Sequence, residues 1–384
     1  MNKVKKLAEW AIGQIEREYK DDVTLLVAVK GHSVNQDGHG ECFDYFIPAT
    51  ERGYELARTF IIDGIGYDLY PRTWEQVEKA AELEEFPTLC LANAHVLYAG
   101  TPEDEERFLS LQRRLFQNLR NSEFTYKKAL EKLDEAMDIY RTLMFEQKLY
   151  RARMAARHIQ YYLTQSAALI NGFFADSAIY TERQVISNVV EMDGKLLKIS
   201  DLLEMDSRWY CCPDLKELPE NFFVYGNQLL KAESIDELRQ LMYLQILACR
   251  KFLSKHKPGK GKSSENSASE ITDYSNSINY QALANWYQEL SLTWKRIQYF
   301  CDQNMVEEAF ENAGYLQGEL IVVAEEFQLE EMDLLGVFAP DHLELLKKRS
   351  MELENQIRQV IKDHGIRIDE YKSVDDFLLN ASDR

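Results

Sequence analysis

Val23-Thr-Leu-Leu-Val-Ala-Val29 is an unbroken apolar run that leads through Lys30 into Gly31-His32-Ser33. A short polar stretch follows. A second run, Cys42-Phe-Asp-Tyr-Phe-Ile-Pro48, contains one acid, Asp44. A third, Phe60-Ile-Ile-Asp-Gly-Ile-Gly-Tyr-Asp-Leu-Tyr-Pro71, carries Asp68. Short apolar, aromatic and β-branched runs bounded by small or polar residues predict strands at 23–30, 42–48 and 60–70.

Outward from these strands the period changes. Upstream, Val4, Leu7, Ala8, Ala11, Ile15 and Tyr19 share one helical face. Glu51 to Thr59 predicts a short helix between the second and third strands, and Trp74 to Leu83 another. Pro87 to Gly100 predicts a strand pair or one long kinked strand. Downstream, Tyr126, Leu130, Leu133, Met137, Tyr140 and Met144 form a helical stripe, and breaks fall near Met192-Asp-Gly194 and Pro213 to Pro219. The Gly-, Ser- and Lys-rich stretch after Lys257 predicts a linker. Leu346, Leu353, Ile357 and Val360 mark a late helix. The expected fold class is α+β. It comprises an N-terminal mixed-sheet domain over 1–110, a helical domain over 111–256, a linker over 257–277 and a helical region over 278–384.

Among 384 residues, 64 acids against 45 bases give a formal net charge of −19. Such a surface repels nucleic-acid backbone and anionic membrane, so broad binding to either is not expected. The six cysteines form no C-x-x-C pair, which argues against a zinc ribbon and for reduced thiols in a cytoplasmic protein. The first residues lack the apolar core of a signal peptide. No run reaches the ~18 apolar residues of a membrane span.

The candidate chemistry lies in the three strands. Transfer of a nucleotidyl group needs carboxylates that hold Mg²⁺ against a triphosphate. It also needs backbone N–H groups that approach phosphate closely, which small residues at a strand end permit. Gly31 and Ser33 are the small residues, and Asp44 and Asp68 the acids. In a regular strand Cys42 would share a face with Asp44. Through these residues the chain resembles the nucleotidyltransferase superfamily of the polymerase-beta type, including aminoglycoside nucleotidyltransferases. The helix before the Gly-x-Ser turn and the closing Ala94-His-Val-Leu-Tyr98 run extend the resemblance across 1–110.

The resemblance implies a nucleotidyltransferase-like domain with Asp44 and Asp68 as catalytic, Mg²⁺-binding acids and with Gly31 and Ser33 at the phosphates. It implies a nucleoside triphosphate as substrate and a hydroxyl acceptor on a small molecule or a protein. The pattern is broken at two positions. His32 stands where Ser or Gly is common, and Cys42 stands where the family has its first metal-binding Asp. A thiol is a poor ligand for Mg²⁺. Two alternatives therefore stand beside an enzyme: a catalytically impaired nucleotide-binding or regulatory protein, and a helical protein-interaction module on an α/β base.

Other signals have structural readings. Arg153 and His158 have an Arg-x4-His spacing that resembles HEPN-type domains, but five residues on a helix share a face poorly, and a solvated face is expected. Tyr161-Tyr162 and Phe173-Phe174 are expected in the core. Lys251 to Lys262 is expected to solubilise the linker.

Overall fold

The computed structural model describes residues 3–29, 43–84, 89–92, 94–172, 174, 189–192, 195–198, 218–258 and 279–380. Gly31, His32, Ser33 and Cys42 lie outside these residues, as do Cys211, Cys212, Phe173 and nearly all of the expected linker. The architecture is α+β: a mixed six-stranded sheet built mainly from the first hundred residues, followed by a mainly helical region.

Helix α1 (Lys3–Gln14) runs into a π-helical turn over Ile15–Tyr19 and then into β1 (Val23–Val29). β2 is Phe43–Pro48, β3 Arg58–Ile62, β4 Ile65–Pro71 and β5 Ala94–Ala99. Far along the chain, β8 (Glu370–Tyr371) completes the order β5-β1-β2-β4-β3-β8. The β2–β4 and β3–β8 pairings are parallel; β5–β1, β1–β2 and β4–β3 are antiparallel. A separate hairpin pairs β6 (Val189–Met192) with β7 (Lys195–Lys198).

Apart from Thr24, β1 is apolar because the sheet is covered on both faces. Leu26 joins Leu7, Ala11, Phe46, Phe60 and Leu69 on one face, under α1 and α12 (Val374–Asn380). Leu25 and Val27 join Tyr45, Ile47 and Ile61 on the other, in a core that continues into the helices. That second face is covered by α2 (Trp74–Ala81), α3 (Leu89–Ala92), α4 (Pro102–Arg120) and, over β3 and β4, α9 (Tyr280–Asp302).

In the helical region α5 (Ser122–Leu143), α6 (Leu149–Ile170) and α8 (Ile235–Lys255) pack together, with α7 (Phe222–Lys231) against α8. α9 packs on α10 (Val306–Glu326) and α11 (Leu343–Asp363). The helix starts follow capping chemistry. Thr73 and Gln76 form a capping box on α2, as do Ser234 and Glu237 on α8, and Thr101 caps α4 ahead of Pro102. No described helix is long and apolar enough to cross a membrane.

Four expectations are corrected. The run 60–70 is a hairpin rather than one strand. Asp63 (φ 56°) and Gly64 (φ 73°) both take the left-handed conformation that a two-residue primed turn needs. Glu51–Leu56 is one 3₁₀ segment, and Arg58 and Thr59 already belong to β3. The stretch before Gly100 holds the short helix α3 and then a single strand, β5. Arg153 is buried, because its guanidinium donates to the carbonyl oxygens of Ala232, Leu335 and Phe338. Hydrogen bonds of this kind are what make a buried guanidinium tolerable.

Candidate functional site

The site begins with an irregularity in β2. Val27 of β1 pairs with Tyr45 and Ala28 with Phe43, so Asp44 is an extra residue with no partner across the strand. This is a β-bulge, which turns consecutive side chains onto one face. As a result Phe43 and Phe46 both enter the core under α1, while Tyr45 and Ile47 enter the opposite one. Strict alternation would have put Phe43 with Tyr45. Asp44, half-buried, reaches the second face, where Tyr70 Oη donates to its Oδ2 at 3.0 Å. The Cys90 thiol points to the same oxygen at 3.7 Å.

β4 brings the second acid. Its Tyr70 pairs with Tyr45 of β2, and Asp68, two residues earlier, shares the face of Tyr70. Leu69, between them, is buried in the opposite core. Burial, Glu289 and Asp44 together push the Asp68 carboxyl up to about 7. Burial is the largest of these causes, and Asp44, on the neighbouring strand, the smallest. Glu289 arrives from α9, which lies directly on the strand: a Cβ at Gly66 would overlap Ser291 Oγ and the Gln288 carbonyl oxygen. Gln288 ties this helix to the sheet edge, donating to Thr59 O at 3.1 Å and accepting from Asp369 N at 2.5 Å. The Glu289 carboxyl is itself raised by burial and by Glu319 of α10.

Around the two acids is a layer of neutral donors and one cation. Tyr45 Oη donates to the Cys90 carbonyl oxygen at 3.0 Å. Burial raises the Tyr45 and Tyr70 hydroxyls and pushes the Cys90 thiol up to about 12, so all three keep their protons at neutral pH. The Arg72 guanidinium lies over the rings of Tyr45 (5.4 Å) and Tyr70 (5.6 Å), and its buried Nε has no hydrogen-bond partner among the described residues.

Asp44 and Asp68 lie on adjacent parallel strands, β2 and β4. Four neighbours were not anticipated. Tyr70 and Arg72 follow Asp68 at alternate positions, and that spacing was a readable signal. Cys90 and Glu289 carried none, because two helices packed on the sheet, α3 and α9, deliver them. Among the described residues no group of three or more His, Cys, Asp or Glu side chains is arranged to hold a metal ion. Two hard carboxylate oxygen donors do suit Mg²⁺, which takes one or two carboxylates and fills its shell with water and phosphate oxygens.

The Arg-x4-His pair is not a second site on these observations. Arg153 is committed to backbone carbonyls, and burial together with Arg157 pushes His158 down to about 4, leaving it neutral.

No protein-family model matches the chain, and no curated protein matches it. A nucleotidyltransferase-like protein from Exiguobacterium sibiricum 255-15, known from its crystal structure, is a distant structural neighbour. It is 12% identical with a TM-score of 0.32, and the match covers 64% of this chain and 74% of that one.

Proposed function

We propose that the chain is a nucleotidyltransferase-like protein that binds a nucleoside triphosphate with Mg²⁺ at Asp44 and Asp68 and transfers its nucleotidyl group to a hydroxyl acceptor. The observation that carries this reading is the pair of acids on the adjacent parallel strands β2 and β4. Crowded carboxylates in a partly buried site are a costly arrangement, and a divalent cation relieves it.

In this reading Asp44 and Asp68 offer their carboxylate oxygens to the cation, and Gly31 and Ser33 offer backbone N–H groups to the phosphates. Bound Mg²⁺ would neutralise the triphosphate and favour departure of pyrophosphate. Asp68, whose carboxyl burial pushes up to about 7, would have to lose its proton to hold a cation. The acceptor oxygen forms the new bond to the α-phosphorus as the bond to the pyrophosphate oxygen breaks, and the hydroxyl proton passes to water.

Labelled nucleoside triphosphates, Mg²⁺ and a panel of hydroxyl acceptors test the reading. Transfer is expected from the parent chain and not from Asp44→Ala; equal signals from the two overturn it. Cys42, in place of an acid, favours a second reading: nucleotide binding without turnover. Calorimetry separates the two, since metal-independent nucleotide binding with no transfer supports the second. If Cys42→Asp creates Mg²⁺-dependent transfer in a silent parent, one missing ligand accounts for the silence.

A further inference from the structure

We infer that Tyr70 and Cys90 are positioning residues for Asp44, holding its Oδ2 so that Oδ1 is turned outward as the single oxygen offered to a divalent cation. The inference rests on the metal-binding reading above and adds the device that orients the ligand. Tyr70 Oη and Cys90 Sγ come from two different elements, β4 and α3, and both land on Oδ2. Neither touches Oδ1. The bulge aims Asp44 at this face, and the two donors fix the rotation of its carboxylate there.

Each donor is itself held. Arg72 lies over the Tyr70 ring at 5.6 Å and restrains it from one side. The Cys90 backbone accepts from Tyr45 Oη at 3.0 Å, which ties α3 to β2 next to the acid it serves. Tyr45 and Tyr70 are paired across β2 and β4, with ring centroids 6.0 Å apart, so one unit supports both donors. Hydrogen bonds behind a metal ligand typically change metal affinity by about 10–100-fold when removed. A thiol is the weaker donor of the two, so the hydroxyl contributes more.

The test is Mn²⁺ titration of the full chain, read from the electron paramagnetic resonance signal of free Mn²⁺. Tyr70→Phe removes one oxygen and leaves the ring under Arg72. It is expected to weaken Mn²⁺ binding by about 10-fold or more at an unchanged thermal midpoint. Cys90→Ala is expected to weaken binding less, and Cys90→Ser, which keeps a donor, to restore it. Parent affinity in Tyr70→Phe, alongside loss of binding in Asp44→Ala, overturns the inference and leaves the metal reading standing. Parent affinity in Asp44→Ala, or a parent chain that takes up no Mn²⁺, overturns the reading itself. Should Tyr70→Phe fail to fold, Cys90→Ala against Cys90→Ser decides, and equal affinities overturn the inference.

Discussion

The two faces of one sheet have been given opposite work. Under α1 and α12 the face is aromatic: Phe60 stacks on Phe377 at 4.2 Å and on Tyr67 at 5.7 Å, and Trp10 meets Phe43, Phe60 and Phe377 edge-on or tilted. The other face, between β2 and β4, holds Asp44, Asp68, Tyr70 and Arg72 with Cys90. Geometry of the first kind releases free energy as apolar area leaves water, roughly 1.5–3 kcal/mol for each large side chain. Geometry of the second kind consumes it, since burial is what lifts Asp68 out of the ordinary carboxylate range. One bulge at Asp44 makes the division, sending Phe43 one way and the acid the other. The aromatic cluster and the acid cluster lie on opposite sides of a single layer.

The largest effect that would break this contrast is on the aromatic face. Phe60→Ala removes a fully buried ring that touches four others. It is expected to cost about 3–5 kcal/mol in a denaturant titration. Mn²⁺ uptake by the fraction still folded is expected to be unchanged.

The opposite sign is expected at Asp68. Its folded value, about 7, lies above its ordinary 3.8, so between those pH values the folded state holds a proton that the unfolded state has released. Stability from this group is therefore present below pH ~4 and lost as pH rises through 7. Asp68→Asn does not titrate and escapes the loss. Thermal midpoints of parent and variant should nearly coincide at pH 4 and separate in favour of the variant by pH 8. The gain is bounded by ~4 kcal/mol from ~1.4 kcal/mol per pH unit. A variant no more stable than the parent at pH 8 would mean that the acid is not crowded.

A smaller effect sharpens the link between the sheet and the helices. Gly66→Ala places a methyl against Ser291 Oγ and the Gln288 carbonyl oxygen, and backbone cannot swing aside as a flexible side chain can. Destabilisation of about 1–3 kcal/mol is expected, measured by chemical denaturation. Because the displaced helix carries Glu289, the Mn²⁺ affinity should change as well, unlike the result for Phe60.

What could be read from the chain follows from distance in sequence. β1, β2, α1 and the late helix announce themselves by local period, and the buried Leu346, Leu353 and Ile357 match the expected stripe on α11. Asp44 was legible as a lone acid in an apolar run, and Asp68 as an acid in the strand-like run that follows. The Asp63-Gly64 turn was visible in the letters and was overlooked, since the run on either side is continuous in hydrophobicity. The bulge at Asp44 was not legible at all, because it exists only in the pairing with β1. Glu289 and the partners of Arg153 arise from packing between segments more than 75 residues apart. On α5 the expected stripe is also offset: Leu130 and Met144 are exposed, while Ala129, Leu133, Ala136 and Leu143 are buried.

β8 has one more consequence, and it concerns time. The outer edge of β3 is covered by residues 370–371, and Phe60 is stacked by Phe377, while Asp375 reaches back to Lys6 at 2.6 Å. During synthesis the first five strands emerge some 270 residues before the segment that seals them. Until then a bare strand edge and an open aromatic face are presented to whatever is nearby. That edge and that face are covered only once residues 370–377 have been made.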